Sequence, residues 1–344
     1  MIYRNDFYED KTILVTGGVG SIGSEIVRMI LKYNPKVVRI LDNNETGLFD
    51  SEQELQSKKI RLFVGDVKDK ERLTKAVDGV DILFHAAALK HVPLCEYNPF
   101  EAIKTNVIGT QNLIEVAMDE EVEKFITIST DKAVNPVSVM GATKLLAERL
   151  TVSANFYKGK RKTAFSCVRF GNVLDTRGSV IPLFKKQIKN GGPLTITDQD
   201  MTRFMMSISK AVELVLKAAE IAEGGEIFIF KMPAVCIGDL AEVIVEESAP
   251  KYRYTPEELE IKTIGKRAGE KMYEELMTED EVENAYEDEE MFILLPQNCD
   301  LTGKSLYKLP DNFKKTPVRD KSSKGVKLLT KGEIRSLLTE LNPE

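Results

Sequence analysis

The sequence predicts an α/β protein, with a doubly wound parallel sheet and a smaller C-terminal α/β domain. Two observations carry this prediction. Near the N-terminus, a short apolar run, a glycine-rich turn and an amphipathic helical pattern follow one another directly. Further short runs of β-branched and aromatic residues then alternate with amphipathic segments of helical length. This alternation is typical of βαβ units and hence of a parallel sheet.

The first element is a buried strand at residues 12–15, which leads into a turn with Gly17, Gly20 and Gly23 and then a helix. In a dinucleotide-binding turn, the first glycine allows a tight bend, the second lets the backbone approach a pyrophosphate, and the third permits close helix packing. The N-terminus of the helix would face the phosphates. Because a strand and a helix flank the glycines, a dinucleotide site is favoured over a flexible loop.

The second strand, residues 37–45, carries Asp42 about 20 residues beyond the glycines, where an acid meets the adenosine ribose in such folds. A carboxylate there accepts hydrogen bonds from the ribose hydroxyls and repels a 2′-phosphate. Asp42 therefore favours NAD, with NADP left open because Arg39 lies nearby. The alternative is an acid that only ends a strand.

Two more strands and a long helix follow in the same pattern. The apolar run that begins at Ile60 reads as the third strand, which ends before Asp66 and Val67. The run that begins at Val80 reads as a fourth strand that leads into a turn of small residues, Ala86, Ala87 and Ala88. A helix is predicted to begin after Pro99, and it carries Asn106. An asparagine on the buried face of a helix usually needs a hydrogen-bond partner, so we expect Asn106 to have one.

The stretch at residues 125–144 combines a strand, a polar loop and the start of a helix. Residues 125–129 alternate β-branched and aromatic residues, and the segment GATKLLAERLTVSA has amphipathic helical spacing. Thr130, Asp131 and Lys132 would therefore lie at the carboxyl end of a strand, where ligands bind in open parallel sheets. This arrangement predicts an active site.

This stretch resembles the active-site segment of the extended short-chain dehydrogenase/reductases, in which a Ser or Thr precedes a Tyr-x-x-x-Lys motif on the next helix. Ser129, Thr130 and Lys144 match that pattern, and Met140 stands at the tyrosine position. A thioether cannot donate or accept a catalytic proton. The TDK sequence, followed by NP and MGATK, is similar to the nucleotide-sugar 4,6-dehydratases, some of which also carry methionine there. The resemblance covers about residues 11–295.

The resemblance implies a Rossmann-like domain with NAD tightly bound and recycled. Asp66 and Val67 would contact the adenine, and three alanines would leave room for the cofactor. Asn106 would support the active-site strand. The implied cofactor-binding residues are Gly17, Val19, Gly20, Ser21, Ile22, Gly23, Asp42, Asn43, Asp66, Val67, Ala86, Ala87, Ala88, Asn106, Ser129 and Lys144.

The resemblance also implies a site for a UDP-sugar. Asn172 and Arg203 would contact the diphosphate, and Arg267, in an R-x-G-E-K pattern, would reach the UDP. Two alternatives remain: His91 as a capped structural histidine, and Arg203 in a surface ion pair with a nearby aspartate. The implied substrate-binding residues are Lys90, His91, Asn172, Arg177, Val180, Arg203, Arg267 and Glu270.

The predicted domains follow from these motifs. Residues 1–172 would form the NAD-binding domain, with 205–231 packing back on it. Residues 173–204 and 232–300 would form the substrate domain, and 301–344 a C-terminal extension along the surface or at an oligomer contact. We expect a homo-oligomer paired through the helices beginning near Phe100 and Gly141, as is usual in the superfamily.

The composition of the chain limits the classes of partner that we expect it to bind. The net charge of −6, from 48 Lys and Arg against 54 Asp and Glu, argues against nucleic acid as the main partner. No apolar run approaches the roughly 18 residues that span a bilayer, and the N-terminus lacks a signal-peptide core, so we expect a cytoplasmic protein without membrane contact. Four separated cysteines and two histidines predict neither a disulfide framework nor a metal site.

The implied reaction is a 4,6-dehydration of UDP-N-acetylglucosamine to a UDP-2-acetamido-2,6-dideoxy-4-hexulose. C4 is oxidised, water leaves across C5 and C6, and hydride returns to C6, with inversion at C5 favoured over retention. Asp131 would be the acid for O6, if its pKa is raised, and Lys132 the base at C5, if its pKa is lowered. Thr130 would hold O4 or relay its proton, and Lys144 would bind the nicotinamide ribose.

Two other functions stay open at this point. A nucleotide-sugar 4-epimerase of the same fold also needs NAD, but it gives no reason for the TDK sequence. A non-catalytic NAD-binding sensor is favoured only by Met140. The exact UDP-sugar, the choice between NAD and NADP, and the size of the oligomer are not decided by the sequence.

Overall fold

The structure, a computed structural model, describes residues 6–296, 309–310, 312–317 and 321–339. Strands and helices alternate through the first half of the chain, as predicted. These elements are β1 Thr12–Thr16, α1 Ser21–Leu31, β2 Val37–Asp42, α2 Glu45–Leu55, β3 Ile60–Val64, α3 Lys70–Val77, β4 Ile82–His85, α4 Val92–Tyr97, α5 Pro99–Ile103, α6 Gly109–Asp119, β5 Lys124–Thr130, α7 Val139–Tyr157 and β6 Ala164–Phe170.

The second half contains shorter elements. They are β7 Asn172–Val173, α8 Val180–Lys189, β8 Leu194–Ile196, β9 Thr202–Met206, α9 Ile208–Ile221, β10 Ile227–Phe230, β11 Ala234–Cys236, α10 Ile237–Ser248, β12 Ile261–Thr263, α11 Glu279–Glu283, β13 Ala285–Glu287, β14 Met291–Leu294, β15 Lys314–Lys315 and α12 Lys331–Thr339.

The main sheet has the doubly wound order that the sequence predicts. Seven parallel strands run in the order β10-β6-β5-β4-β1-β2-β3, and β14, β13 and β15 extend the β10 edge with antiparallel pairing. Strand β1 lies between β2 and β4, so successive connections leave it in opposite directions. A crevice opens outside the carboxyl ends of the strands at such a reversal, which is where ligands bind in these sheets.

The segment that carries the predicted active site folds as its residues dictate. Strand β5 is buried along its interior, as expected for a central strand covered on both faces. A short 3₁₀ turn at Asp131–Ala133 ends it, and the hydroxyl of Ser138 caps α7 by accepting a hydrogen bond from the Gly141 amide. The strand, the loop and the helix lie where the sequence predicts them, with α7 starting two residues earlier.

A second, smaller unit packs beside the sheet. It contains the three-stranded sheet β11-β9-β7 and the pair β12-β8, with an apolar core from α8, α10 and neighbouring strands. This unit agrees with the predicted smaller α/β domain. It closes one side of the crevice at the carboxyl edge of the main sheet.

The predicted domain boundaries differ from the structure near the C-terminus. Strands β13 and β14, within the predicted segment 232–300, belong to the main sheet. Helix α12, within the predicted extension 301–344, instead packs on α10, where its Ile334 is buried in the second core. The chain therefore crosses between the two units more often than sequence patterns indicate. Residues 297–308 lie outside the described residues.

Candidate active site

A cavity of about 330 Å³ opens at the carboxyl ends of β4, β5 and β6. The start of α7 and residues 172–181 complete its walls. Thr130, Lys132, Met140 and Lys144 all line it, so the structure brings together most of the predicted catalytic residues. None of the described residues that line this cavity is a tyrosine.

The glycine turn beside the cavity fits a dinucleotide. Gly17 has a φ of +64°, and a Cβ there would lie 2.7 Å from the Ala87 backbone, so only glycine fits. A Cβ at Gly23 would lie 2.2 Å from the Gly17 carbonyl oxygen, which explains the close approach of α1. The carboxylate of Asp42 accepts a hydrogen bond from the Val19 amide at 3.2 Å, which places it beside the glycine turn, and its contact with the ribose stays a prediction.

The side chain of Asn106 makes its hydrogen bonds within the protein. Its amide nitrogen donates to the Leu89 carbonyl and to the Thr143 hydroxyl, and its side-chain oxygen accepts from the Leu89 amide. Both of its amide hydrogens are therefore used within the protein. Asn106 ties the loop after β4 to α7, which corrects its assignment to the cofactor contacts and agrees with a supporting role.

Thr130, Asp131 and Lys132 form a hydrogen-bonded chain. The Thr130 hydroxyl donates to Asp131 Oδ1 at 2.9 Å, and Lys132 Nζ donates to the same oxygen at 2.9 Å. The Asp131 side chain is fully buried, whereas Thr130 and Lys132 line the cavity. Asp131 is therefore hydrogen-bonded to two residues of the cavity wall without lining the cavity itself, and its role as the acid for O6 stays a prediction.

Lys132 pairs with a second carboxylate, that of Glu274, which the sequence does not indicate. Its Nζ lies 3.6 Å from Glu274 Oε1 and donates to Asn172 Oδ1 at 3.0 Å. Burial lowers the pKa of Lys132, but the Asp131 and Glu274 carboxylates raise it more, so the pKa lies above its usual value. The predicted lowering of this pKa is therefore wrong for the resting site.

Lys144 and Ser129 present polar atoms at the cavity. Lys144 Nζ donates to the Ile128 carbonyl at 2.6 Å, and burial lowers its pKa to about 8 although Glu148 opposes the shift. The buried Ser129 hydroxyl has no hydrogen-bond partner in the structure. Both residues line the cavity, where a bound nicotinamide nucleotide could use their polar atoms, and the buried Met140 adds an apolar side chain to the same wall.

The loop at residues 176–179 closes the cavity on the side of the second unit. Lys90 Nζ donates to the Arg177 carbonyl at 3.0 Å, and the Arg177 amide donates to the Ser21 hydroxyl at 3.0 Å. The His91 ring packs on Gly178, where a Cβ would lie 2.5 Å from the ring. Burial and Lys90 lower the pKa of His91. The loop that carries the predicted substrate-binding residue Arg177 thus contacts Ser21, at the start of the helix that follows the glycine turn.

A smaller cavity of about 190 Å³ adjoins the first and shares Lys132 and Asn172 with it. Arg203 lines it but is buried, and it donates to the Thr202, Met272 and Lys271 carbonyls, which excludes the alternative of a surface ion pair. Glu270 also lines it. Arg267 is exposed and lines neither cavity, so its contact with UDP remains a prediction.

Two buried residues were missed by sequence reasoning. Glu274 lies beside Lys132, but it is one of several acids in a charged stretch, and nothing in the sequence singles it out. His85 bridges the Thr16 and Thr110 hydroxyls at 2.8 and 2.9 Å, which joins β1 and β4 to α6. A histidine inside a predicted buried strand was the available signal for this second residue.

The fold and this site define an extended short-chain dehydrogenase/reductase. The chain belongs to the polysaccharide biosynthesis protein family, whose sequence profile matches residues 13–296. The predicted class, an NAD-dependent enzyme of this fold in the group of the nucleotide-sugar dehydratases, is confirmed.

Three proteins that are similar to this chain carry different names. An uncharacterized membrane protein of Methanocaldococcus jannaschii is 66% identical over 98% of each chain. A UDP-N-acetylglucosamine 4,6-dehydratase (inverting) of Campylobacter jejuni is 44% identical over 84% of each chain. A UDP-glucose 4-epimerase of Rickettsia rickettsii is 38% identical over 97% of each chain.

Among solved structures, Pen from Bacillus thuringiensis is 41% identical, with a TM-score of 0.90 over 98% of this chain and 99% of its own. This similarity confirms the fold along nearly the whole sequence. Within the part of the chain that the structure describes, no helix has the length and apolarity needed to cross a membrane. The cytoplasmic location stays a prediction.

Proposed function

We propose that this protein is a UDP-N-acetylglucosamine 4,6-dehydratase that inverts C5. The observation that carries the proposal is the hydrogen-bonded chain of Thr130, Asp131 and Lys132 at a cavity whose tyrosine position holds Met140. An epimerase needs one acid–base group near O4, whereas a dehydratase needs groups for O4, O6 and C5. The Campylobacter jejuni relative supports the substrate and the inversion.

NAD, when bound, would accept hydride from C4 of the sugar and return it to C6. The glycine turn and Asp42 would hold its adenosine half, and Lys144 and Ser129 its nicotinamide ribose. The buried, unpartnered hydroxyl of Ser129 and the lowered pKa of Lys144 are consistent with groups that await a polar ligand. Their proximity to Met140 keeps this part of the site free of competing proton donors.

Thr130 and Asp131 would move one proton through two steps. As C4 is oxidised, the Thr130 hydroxyl accepts the O4 proton and passes its own to Asp131 Oδ1, 2.9 Å away. When O6 leaves, the same path runs backward, and O6 departs as water. The proton released at O4 is therefore the proton consumed at O6, which balances the dehydration without any proton from solvent.

Lys132 would be the base that removes H5. The 4-ketone acidifies this position, so an amine of suitable pKa can take the proton. Inversion requires that C5 receive its new proton on the opposite face of the ring, so this proton would come from water, and the Lys132 ammonium would keep the proton taken from C5. Because Lys132 is held as an ammonium in the resting site, it must lose a proton before it can act.

Cations around the cavities would bind the diphosphate. Lys90 lines the first cavity and Arg203 the second, on either side of the shared Asn172. Charge-assisted hydrogen bonds from such groups are the usual means of holding a pyrophosphate. The substrate would then lie with its sugar toward Thr130 and its nucleotide toward the second unit.

Incubation with UDP-N-acetylglucosamine tests the proposal. We expect a 6-deoxy-4-keto product, identified by mass loss of one water and by its ultraviolet absorbance under alkali. The Rickettsia rickettsii relative makes epimerisation the competing outcome. Formation of UDP-N-acetylgalactosamine without loss of water would replace the dehydratase with an epimerase.

A further inference from the structure

Glu274 is a buried carboxylate that the mechanism above leaves unused. It is 3% exposed, and its Oε1 lies 3.6 Å from Lys132 Nζ and 3.8 Å from Arg203 Nε. Its Oε2 is buried without a hydrogen-bond partner. Buried carboxylates are normally hydrogen-bonded, so such an atom calls for a functional explanation.

The backbone holds Glu274 firmly in this position. Its amide donates to the Ser323 hydroxyl at 3.0 Å, and the Ser323 amide donates back to the Glu274 carbonyl at 2.8 Å. The Ser323 hydroxyl also hydrogen-bonds to Thr202 Oγ1 at 2.8 Å. The side chain of Glu274 is thus presented to Lys132 by a fixed frame, which includes a C-terminal segment beyond the family match at residues 13–296.

Two carboxylates share the Lys132 ammonium, and their surroundings differ. Asp131 Oδ1 accepts hydrogen bonds from both Thr130 and Lys132 at 2.9 Å. Glu274 makes only the longer ion pairs, so its anion is less well stabilised. When carboxylates compete for one site, the one with fewer donors takes a proton more readily.

We propose that Glu274 is a positioning residue for Lys132, which holds the ammonium in the resting site and accepts its proton when substrate is bound. The inference rests on the proposed function. An N–H bond of Lys132 breaks, an O–H bond forms on Glu274, and the neutral amine removes H5. Lys132 keeps the proton from C5, C5 takes a proton from water on the opposite face of the ring, and Glu274 releases its own proton to water, which restores the resting ion pair.

The charges around the pair agree with this exchange. Burial raises the pKa of Glu274, Lys132 opposes the rise, and Asp131 adds to it, while Arg203 and Lys271 also oppose it. The same Asp131 carboxylate raises the pKa of Lys132. Arrival of the O4 proton on Asp131 would neutralise that carboxylate and weaken the hold on the Lys132 proton. Oxidation at C4 would therefore prepare the base for C5.

Chemical labelling of the ligand-free protein tests the coupling without turnover. An amine-reactive reagent modifies only the neutral amine, and peptide mass spectrometry reads the modification of Lys132 against pH. In Glu274→Gln, we expect the midpoint to fall by about one pH unit or more, since a counter-charge is lost. Glu275→Gln is the matched control, because Glu275 pairs with Lys271 instead. An unchanged midpoint in Glu274→Gln would overturn the coupling.

The pH dependence of turnover tests the proton transfer itself. Glu274→Gln cannot accept the proton, so at pH 7 water loss should fall about tenfold or more and recover as pH rises toward 10. Glu274→Asp keeps an acceptor and should keep the wild-type pH profile. Cofactor reduction on addition of substrate should persist in both variants, which shows an intact site.

A uniform loss of turnover at every pH in Glu274→Gln, or a wild-type profile, would contradict the inference. A wild-type protein that does not dehydrate UDP-N-acetylglucosamine would instead overturn the proposed function. In that case the labelling experiment still decides whether Glu274 controls Lys132. The two failures are therefore distinguishable.

Discussion

Met140 occupies the position of the superfamily tyrosine and is 3% exposed, packed against Cys95 and Ala102. Its surroundings are those of a small apolar cluster beside the cavity. A methionine at this position can only pack against its neighbours, since a thioether does not transfer protons. Proton transfer must therefore come from other residues at the cavity.

Replacement of Met140 and of Lys132 should have opposite outcomes. Met140→Leu changes only apolar packing and should keep most of the activity. Lys132→Met removes the C5 base while retaining a side chain of similar length, so water loss should fall by about 10²-fold or more. Product formation and cofactor absorbance after mixing with substrate measure the two steps. A Lys132→Met enzyme with near-normal turnover would exclude Lys132 as the base.

Thr130 should matter through its hydroxyl. Thr130→Val keeps the shape but removes the link between the cavity and Asp131, so both cofactor reduction and water loss should drop by about 10²-fold. Thr130→Ser keeps the hydroxyl and is the matched control, with activity close to wild type. Rapid-mixing absorbance measures the first step. Equal activity in the valine and serine variants would remove Thr130 from the proton path.

The residues of the site were predictable to different degrees. Thr130, Lys144 and Met140 follow from a motif contained in 15 consecutive positions of the sequence, 130–144, which is why the sequence could place them. Glu274 and Ser323 reach the site from distant parts of the chain, through a turn and a C-terminal segment without a motif. Burial lowers the pKa of Lys132, Asp131 and Glu274 raise it above its usual value, and the sequence could not show the contribution of Glu274.

At the scale of elements, His85 joins the strands and the helix beside the glycine turn through hydrogen bonds. Thr110 Oγ1 donates to the Asn106 carbonyl, so it accepts from His85 Nε2, and Nδ1 then accepts from Thr16. The imidazole is therefore neutral, with its proton on Nε2. It joins the ends of β1 and β4 to α6, next to the π-helical turn that carries Asn106.

This neutral histidine predicts a loss of stability in acid. Burial lowers the pKa of His85 from 6.5 to about 3, and Lys144 adds to the effect. Below pH 6.5 the unfolded chain binds a proton that the folded chain does not, so stability falls by about 1.4 kcal/mol per pH unit. Urea unfolding at pH 7 and pH 5 should show about 2 kcal/mol more loss in the wild type than in His85→Gln. Equal losses would contradict a neutral His85.

The elements themselves were largely predictable. The strand at 125–129 appears as expected, because it depends on a local pattern of β-branched and aromatic residues. A buried network was not predictable: Arg169 binds both oxygens of Glu148 at 3.0 and 2.8 Å and also pairs with Glu281. It joins β6, α7 and α11, and only the tertiary fold brings these three elements together.

At the scale of the whole molecule, the doubly wound sheet was predictable from the βα alternation, but its β10 edge was not. Strands β13 to β15 are two to four residues long and have weak sequence signals. Their addition to the main sheet instead of the second unit depends on pairing across the chain. Short antiparallel strands of this kind are decided by tertiary contacts more than by propensity.

The exposed face of α4, α5 and α7 predicts self-association. Tyr97, Phe100 and Leu146 are 87%, 75% and 50% exposed, which is unusual for adjacent large apolar residues. Leu146→Glu should shift the protein toward monomer in sedimentation at micromolar concentration, because a charge would be buried in the interface. Phe49→Glu, on the exposed face of α2, is the matched control. A wild type that sediments as a monomer would remove this interface.

The central claim is that the Thr130, Asp131 and Lys132 chain performs a dehydration. The most direct measurement is NMR of the product formed from UDP-N-acetylglucosamine in D₂O. We expect a 6-deoxy-4-keto sugar with deuterium at C5 and inverted configuration there, because C5 takes its new proton from solvent on the face opposite Lys132. A product that retains O6 and the original hydrogen at C5 would contradict it.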